Sequence, residues 1–145
     1  MLKWEDAGTI ADVRRDYSRL PNKKGLYCVY CKDMNSIKFK DISGHQTIKK
    51  NINIKSLEDK FTGNRSNIIY IGMSVSIRQK LKQYIMTLDG HTKNHQGGSA
   101  VAQIDDYDKL FVKYCECDDP EDCEGRLLCD FKFAYGDYPL ANWKG

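Results

Sequence analysis

Apolar residues recur along this chain in two rhythms, one with the period of a helix and one with the period of a strand. In residues 8–18, Ile10, Val13 and Tyr17 fall on one stripe, which predicts a short N-terminal helix. Leu20-Pro21-Asn22-Lys23-Lys24 breaks it. The next run, GLYCVYCK, sends Leu26, Cys28 and Tyr30 to one face and Tyr27, Val29 and Cys31 to the other, as a strand does. Residues 33–65 are polar, yet SIKFKDIS and NINIK both alternate with period two. That predicts an inserted hairpin and a short helix over SLEDKF rather than a loose loop. NIIYIGMS is rich in β-branched residues and ends where a helix begins. That helix runs from Ser76 to Leu88, with Ser76 and Gln79 as a capping box and Ile77, Leu81, Ile85 and Leu88 as its apolar stripe. A loop from Gly90 to Gly98 leads to SAVAQI and KLFVKYCEC, a small helix and a strand. Asp119-Pro120 opens the last helix and Gly136 closes it.

These elements predict one α/β (α+β) domain over residues 1–145: a small sandwich with a mainly antiparallel central sheet flanked by helices, interrupted by the 33–65 insertion. The start, MLKWEDAGTIADVRRDYSRL, has no apolar run after its charges, and no stretch approaches the ~20 apolar residues of a membrane helix. The expectation is a cytoplasmic protein with no membrane partner. The formal net charge is only +3, but positive residues gather between Arg14 and Lys82 and acidic ones in 105–124. A basic face over the first two-thirds suits phosphate contacts, and equally a solvated surface. The six cysteines lack paired-knuckle zinc spacing, so free thiols behaving as small apolar residues are expected. Glu124 stands out because it shares a helical stripe with Leu127, Leu128 and Phe131. A carboxylate aimed along an apolar face needs a cation or hydrogen bonds, unless it only complements the helix dipole.

The strings Gly25-Leu26-Tyr27 and Tyr70-Ile71-Gly72 are uninformative singly, but they come with further motifs in order. Ser74-Val75-Ser76-Ile77-Arg78-Gln79-Lys80-Leu81-Lys82-Gln83-Tyr84 follows the second string. His95-Gln96-Gly97-Gly98 comes next, then Glu124-Gly125-Arg126-Leu127-Leu128, and finally Tyr135-Gly136-Asp137-Tyr138-Pro139-Leu140-Ala141-Asn142. Together, over roughly residues 21 to 142, they resemble the GIY-YIG nuclease superfamily, in the branch with His-x-Gly-Gly and Tyr-Gly-x-x-Pro-x-Ala-Asn motifs.

The resemblance implies an endonuclease or nickase that hydrolyses DNA phosphodiester bonds with one divalent ion, Mg²⁺ or Mn²⁺. It implies Glu124 as the metal ligand, with Asp130 a weaker substitute. Tyr27 would be the base that takes a proton from water, or part of a relay, and Tyr70 would position water or phosphate. An unperturbed phenol has a pKa near 10, so that role needs help from a cation. Gly72, Arg78, His95 and Asn142 belong on the substrate side, Asn142 more as a support than as a catalyst. DNA is the implied partner, with an oligomer or a specificity partner supplying selectivity.

One position departs from the pattern: Lys80 stands where the family carries the arginine that contacts the scissile phosphate. Arg78 cannot replace it, since at ~100° per residue the two lie about 160° apart on the helix. Tyr84, four residues after Lys80, does share its face. Lysine keeps the charge and loses the bidentate fork, which implies reduced activity. The alternative is a catalytically impaired nucleic-acid-binding or interaction module on the same fold.

Overall fold

Alternation in GLYCVYCK does what the pattern requires: Tyr27, Val29 and Cys31 enter the main core, and Cys28 enters a smaller cluster with Ile71 and Leu128. A computed structural model of the chain describes residues 2–46, 48, 51–64, 66–91 and 99–142. Strands β1 (Glu5–Thr9), β2 (Gly25–Tyr30), β3 (Ile68–Ser74) and β4 (Phe111–Glu116) form one sheet in the order β1-β4-β2-β3. Every neighbouring pair is antiparallel. Helices α1 (Ile10–Arg15), α2 (Ile54–Asn64), α3 (Ile77–Leu88) and α4 (Pro120–Tyr135) flank it. The small α+β class with a mainly antiparallel sheet is therefore as expected. No helix among the described residues is long and apolar enough to cross a membrane.

The N-terminal segment differs from the single helix predicted over 8–18. Residues 5–9 pair with β4 instead, and the register shifts between Asp6 and Gly8, where Gly8 takes φ +86°. Such a bulge needs a residue without a Cβ penalty. Helix formation is delayed to Thr9, which caps α1: its Oγ1 accepts from the Asp12 amide at 3.1 Å while Asp12 Oδ2 accepts from the Thr9 amide at 3.0 Å. Ile10 and Val13 are buried as the stripe implies. Arg14, on the outer turn, forks onto Asp89 at 2.8 and 2.9 Å and reaches Asp108 at 2.7 Å, tying α1 to the end of α3.

The hairpin expected within 33–65 does not form. Among the described residues its two alternating segments form no backbone ladder; the Asn51 side chain accepts from the Ile42 amide at 3.0 Å and donates to Asp41 at 2.8 Å, and both segments attach to a 3-10 turn, Ser99–Gln103. Phe39 bridges to Ile104, and the Lys40 amide donates to the Gln103 carbonyl at 2.7 Å. The fully buried Gln103 side chain completes the link. Its Oε1 accepts from the Ile52 amide at 2.8 Å, and its Nε2 donates to the Ile52 and Lys40 carbonyls at 2.7 and 3.2 Å. One amide thus serves both segments, and Ile42, Ile48 and Leu57 of the insertion join the main core. The helix after it, α2, is longer than SLEDKF at both ends.

α3 begins at Ser76, whose Oγ accepts from the Gln79 amide at 3.3 Å. The reciprocal bond of the capping box comes from Ser74: its Oγ, not the Gln79 side chain, accepts from the Ser76 amide at 2.9 Å. Ile77, Leu81, Ile85 and Leu88 are all buried. α4 has Asp119 as its cap, Pro120 in its first turn and Gly136 at φ +85° as its stop. It lies across β2 and β3. Between β4 and α4, Cys117 and Cys123 are paired as a disulfide, with their Cα atoms 7.4 Å apart. Free thiols were expected throughout; only Cys28, Cys31, Cys115 and Cys129 are free. Proximity across a tight strand-to-helix turn is the reason, and spacing alone does not show it.

Gln103 gives the insertion its own test. Gln103→Leu keeps the volume but leaves the Ile52 amide and two carbonyls without their partner, a cost of about 2 kcal/mol. The expected result in hydrogen exchange is lost protection over residues 38–64, with the β2–β4 ladder unchanged. Uniform loss across the sheet would make Gln103 part of the global core instead.

Candidate active site

Two glycines set the geometry. A Cβ on Gly25 would stand 2.1 Å from the Cys115 carbonyl oxygen and 2.8 Å from Ile77 Cδ1, so β2 starts in close contact with both β4 and α3. A Cβ on Gly72 would stand 2.4 Å from Tyr27 Cζ. Tyr27 is the cross-strand partner of Gly72, and its ring fills the space that a side chain there would take. The two tyrosine–glycine strings are thus halves of one packing unit.

Around it stand three rings. Tyr27 lies 5.9 Å from Tyr70 and 6.0 Å from Tyr84, and Tyr70 lies 5.4 Å from Tyr84, centroid to centroid. Tyr27 and Tyr84 are fully buried and Tyr70 is half-buried. Burial pushes the Tyr27 and Tyr84 phenols well above the usual value near 10. A hydrogen bond joins the Tyr27 and Tyr70 hydroxyls. Tyr70 is nonetheless pushed up to about 12, by burial first, against the hydrogen bond, and with a further push from Glu124.

Glu124 reaches this group from the second turn of α4. Its carboxyl is half-buried, and burial, then Glu121, raises it above the ordinary glutamate value, while Lys80 pulls it down. It has no hydrogen bond or ion pair among the described residues. Lys80 comes from the first turns of α3, on the same side as Tyr84. Tyr27, Tyr70, Lys80, Tyr84 and Glu124 are therefore brought together, with Gly72 beneath the Tyr27 ring.

Other predicted site residues go elsewhere. Arg78 directs Nε to the Leu20 carbonyl at 2.8 Å and Nη2 to the Ser18 carbonyl at 3.3 Å, so it holds the N-terminal turn rather than facing Lys80 and Glu124. Arg14 is likewise committed to carboxylates, which removes two guanidinium groups from the expected basic face. Asn142 takes a supporting position at the edge of β3. Its Oδ1 accepts from the Ile71 amide at 2.9 Å, and its Nδ2 donates to the Ile71 carbonyl at 3.0 Å. His95, with Gly97 and Gly98, lies outside the described residues. Direct proton abstraction by Tyr27 does not fit its full burial; the half-buried Tyr70 is the phenol with an outward side. Glu121, three residues before Glu124 on α4, was missed although the spacing could have shown it. A groove of about 570 Å³ lined by Leu128, Cys129, Phe133 and Tyr138 contains none of the site tyrosines.

Comparisons of the chain with protein-family models, with curated proteins and with solved structures give no match.

Two measurements probe this geometry. Gly72→Ala should cost about 1–3 kcal/mol by forcing the Tyr27 ring aside. In a Tyr27→Leu background the same change should cost clearly less, as a double-mutant cycle on thermal melting reads out. Additive losses would mean the ring and the glycine are independent. The second concerns pH. Glu124 titrates higher folded than unfolded, so its ionised form opposes folding above the folded pKa and has no effect below the unfolded one. In metal-free buffer at neutral pH, Glu124→Gln should therefore melt no lower than the wild type and preferably higher, with the difference vanishing as the pH falls below the ordinary glutamate range.

Proposed function

We propose that the chain is a divalent-metal-dependent endonuclease or nickase acting on DNA phosphodiester bonds. The observation that carries this reading is the half-buried Glu124 carboxylate, without a partner among the described residues, facing the same space as Lys80 and the Tyr70 hydroxyl. A buried-side carboxylate left so exposed to its own desolvation cost is a group that awaits a cation.

The donor set fits a hard ion. Among the described residues no three His, Cys, Asp or Glu side chains cluster as a metal cage. Glu124 would therefore be the protein's one carboxylate ligand, with water and phosphate oxygens completing the shell, a usual arrangement for Mg²⁺. Bound there, Mg²⁺ or Mn²⁺ supplies charge stabilisation for the phosphoryl oxygens and a more acidic water. The rest falls to side chains. Lys80 pairs its ammonium with a non-bridging phosphate oxygen, as a point charge rather than a fork. With Tyr27 as the donor of their shared hydrogen bond, Tyr70 would keep its own O–H to donate outward to phosphate or water. Tyr27, sealed behind it, orients that hydroxyl. Tyr84 walls off the far side.

A second reading, a binding module without catalysis, draws on the same phenols. Both are raised, and the arginine fork is absent. Nicking of supercoiled plasmid in Mg²⁺ or Mn²⁺ separates the two. Under the nuclease reading Glu124→Gln abolishes nicking while DNA binding persists, Tyr70→Phe loses about 100-fold in turnover, and Tyr27→Phe loses less. Lys80→Ala removes activity and Lys80→Arg keeps or raises it. Wild-type-like nicking by Glu124→Gln removes the metal role. Silence of both the wild type and Lys80→Arg across metals leaves the binding module.

A further inference from the structure

We propose that the sheet carries a second nucleic-acid site: an aromatic–lysine platform on β4, β2 and the segment before β1 that holds unpaired bases of a single strand. It rests on the proposed function only for the class of ligand and uses none of the residues around Tyr27 and Glu124.

α4 covers the β2–β3 half of its sheet face. On the same face, from the end of β2 across β4 to the segment before β1, stand Tyr30, Phe111, Lys113 and Trp4, all half-buried, with Lys32 exposed beside them. Their placement follows from register. Phe111 and Lys113 alternate with Val112, which enters the main core. Phe111 is opposite Tyr30, and Lys113 lies between Cys28 and Asp6. The Tyr30 and Phe111 rings stack at 5.6 Å and 29°. Asp6 Oδ1 accepts from the Tyr30 hydroxyl at 2.5 Å and so fixes that ring. Lys113 Nζ lies 5.2 Å from both the Trp4 and the Tyr30 rings, and Lys32 Nζ lies 4.2 Å above Phe111.

Rings this large, left open to water with cations over their faces, match a polyanion whose own rings are exposed. The energies decide what happens on contact. An exposed cation–π contact is worth about 0.5–1 kcal/mol, whereas a base stacked on an aromatic side chain is worth about 1–3 kcal/mol. A base therefore displaces the ammonium from the ring, and the lysine, on a flexible stem, moves to the adjoining phosphate. Lys113 and Lys32 are the charges nearest the rings; Asp6 stands beside the first, and Asp33, Asp105 and the Asp106–Lys109 pair stand around the second, so the phosphate contact is local to the two ammonium groups over the rings. Duplex DNA keeps its base faces stacked internally and offers the platform only phosphate. Single strands offer both.

The test is anisotropy of a labelled single-stranded oligothymidylate with the full chain in EDTA. Three ligands are compared: the oligothymidylate, a duplex of equal length and an abasic strand carrying phosphate and sugar alone. The expected order has oligothymidylate tightest by about 10-fold. Trp4→Ala and Phe111→Ala should each weaken it about 5- to 100-fold, and Lys113→Gln should lower the salt slope by about 0.7. Glu124→Gln should bind like the wild type. If Phe111→Ala does not fold, Trp4→Ala and Lys113→Gln carry the test, since neither side chain is fully buried. Equal affinity for the abasic strand, unchanged binding in folded Trp4→Ala and Lys113→Gln, or no binding to any oligonucleotide each overturns the platform. Binding with this profile by a protein that never nicks plasmid keeps the platform and removes the nuclease.

Discussion

The contact between the Tyr27 ring and the bare backbone of Gly72 is the constraint on which the rest of this structure depends. A strand pair normally keeps its side chains clear of the partner backbone. Here one strand gives up a side chain so that the other can lay a phenol across it. The phenol's hydroxyl is thereby delivered to Tyr70, Tyr84 closes around both, and α3 and α4 each bring one charged residue to the rim. Dispersion and ring packing hold the arrangement, and its electrostatics follow. Because the rings are dry, both phenols resist ionisation, and the neighbouring carboxylate worsens this.

Arginine use divides structure from chemistry in this chain. Arg14, Arg19 and Arg78 spend their planar forks on protein carboxylates and carbonyls. Lysine is left at the rim of the tyrosine cluster and on the sheet face. Forked, rigid donors suit permanent internal partners; compact charges on long stems suit ligands that come and go.

Periodic stretches bounded by clear caps were legible in the sequence. β2, β3, α3 and α4 follow from alternation, from Ser76 and Asp119, and from Gly136, because local sequence and burial agree there. The placement of Lys80 and Arg78 on opposite sides of α3 follows from helical angle alone. What misled was alternation without a local partner. SIKFKDIS and NINIK read as a hairpin because period two says strand, but pairing is decided by Gln103, some fifty positions on for the second segment. The N-terminal strand was hidden because Ile10, Val13 and Tyr17 fit a helix, while the bulge at Gly8 depends on β4. The deeper burial of Tyr27 relative to Tyr70 was illegible because depth along one ring stack is a tertiary property. The Cys117–Cys123 pair depends likewise on how β4 turns into α4.

The amide of Asn142 has a consequence of another kind. By pairing with both the N–H and the C=O of Ile71, one side chain imitates a passing strand, and the Ala141 amide extends the imitation to Ile69. The β3 margin of the sheet is thus already zipped by its own chain. At the opposite margin β1 is short and bulged, a poor template for another backbone. With both margins guarded, growth of the sheet by strand addition is discouraged from either side. Recognition by this fold is left to side chains on its faces and at its ends, where geometry discriminates among partners that a backbone ladder would accept alike.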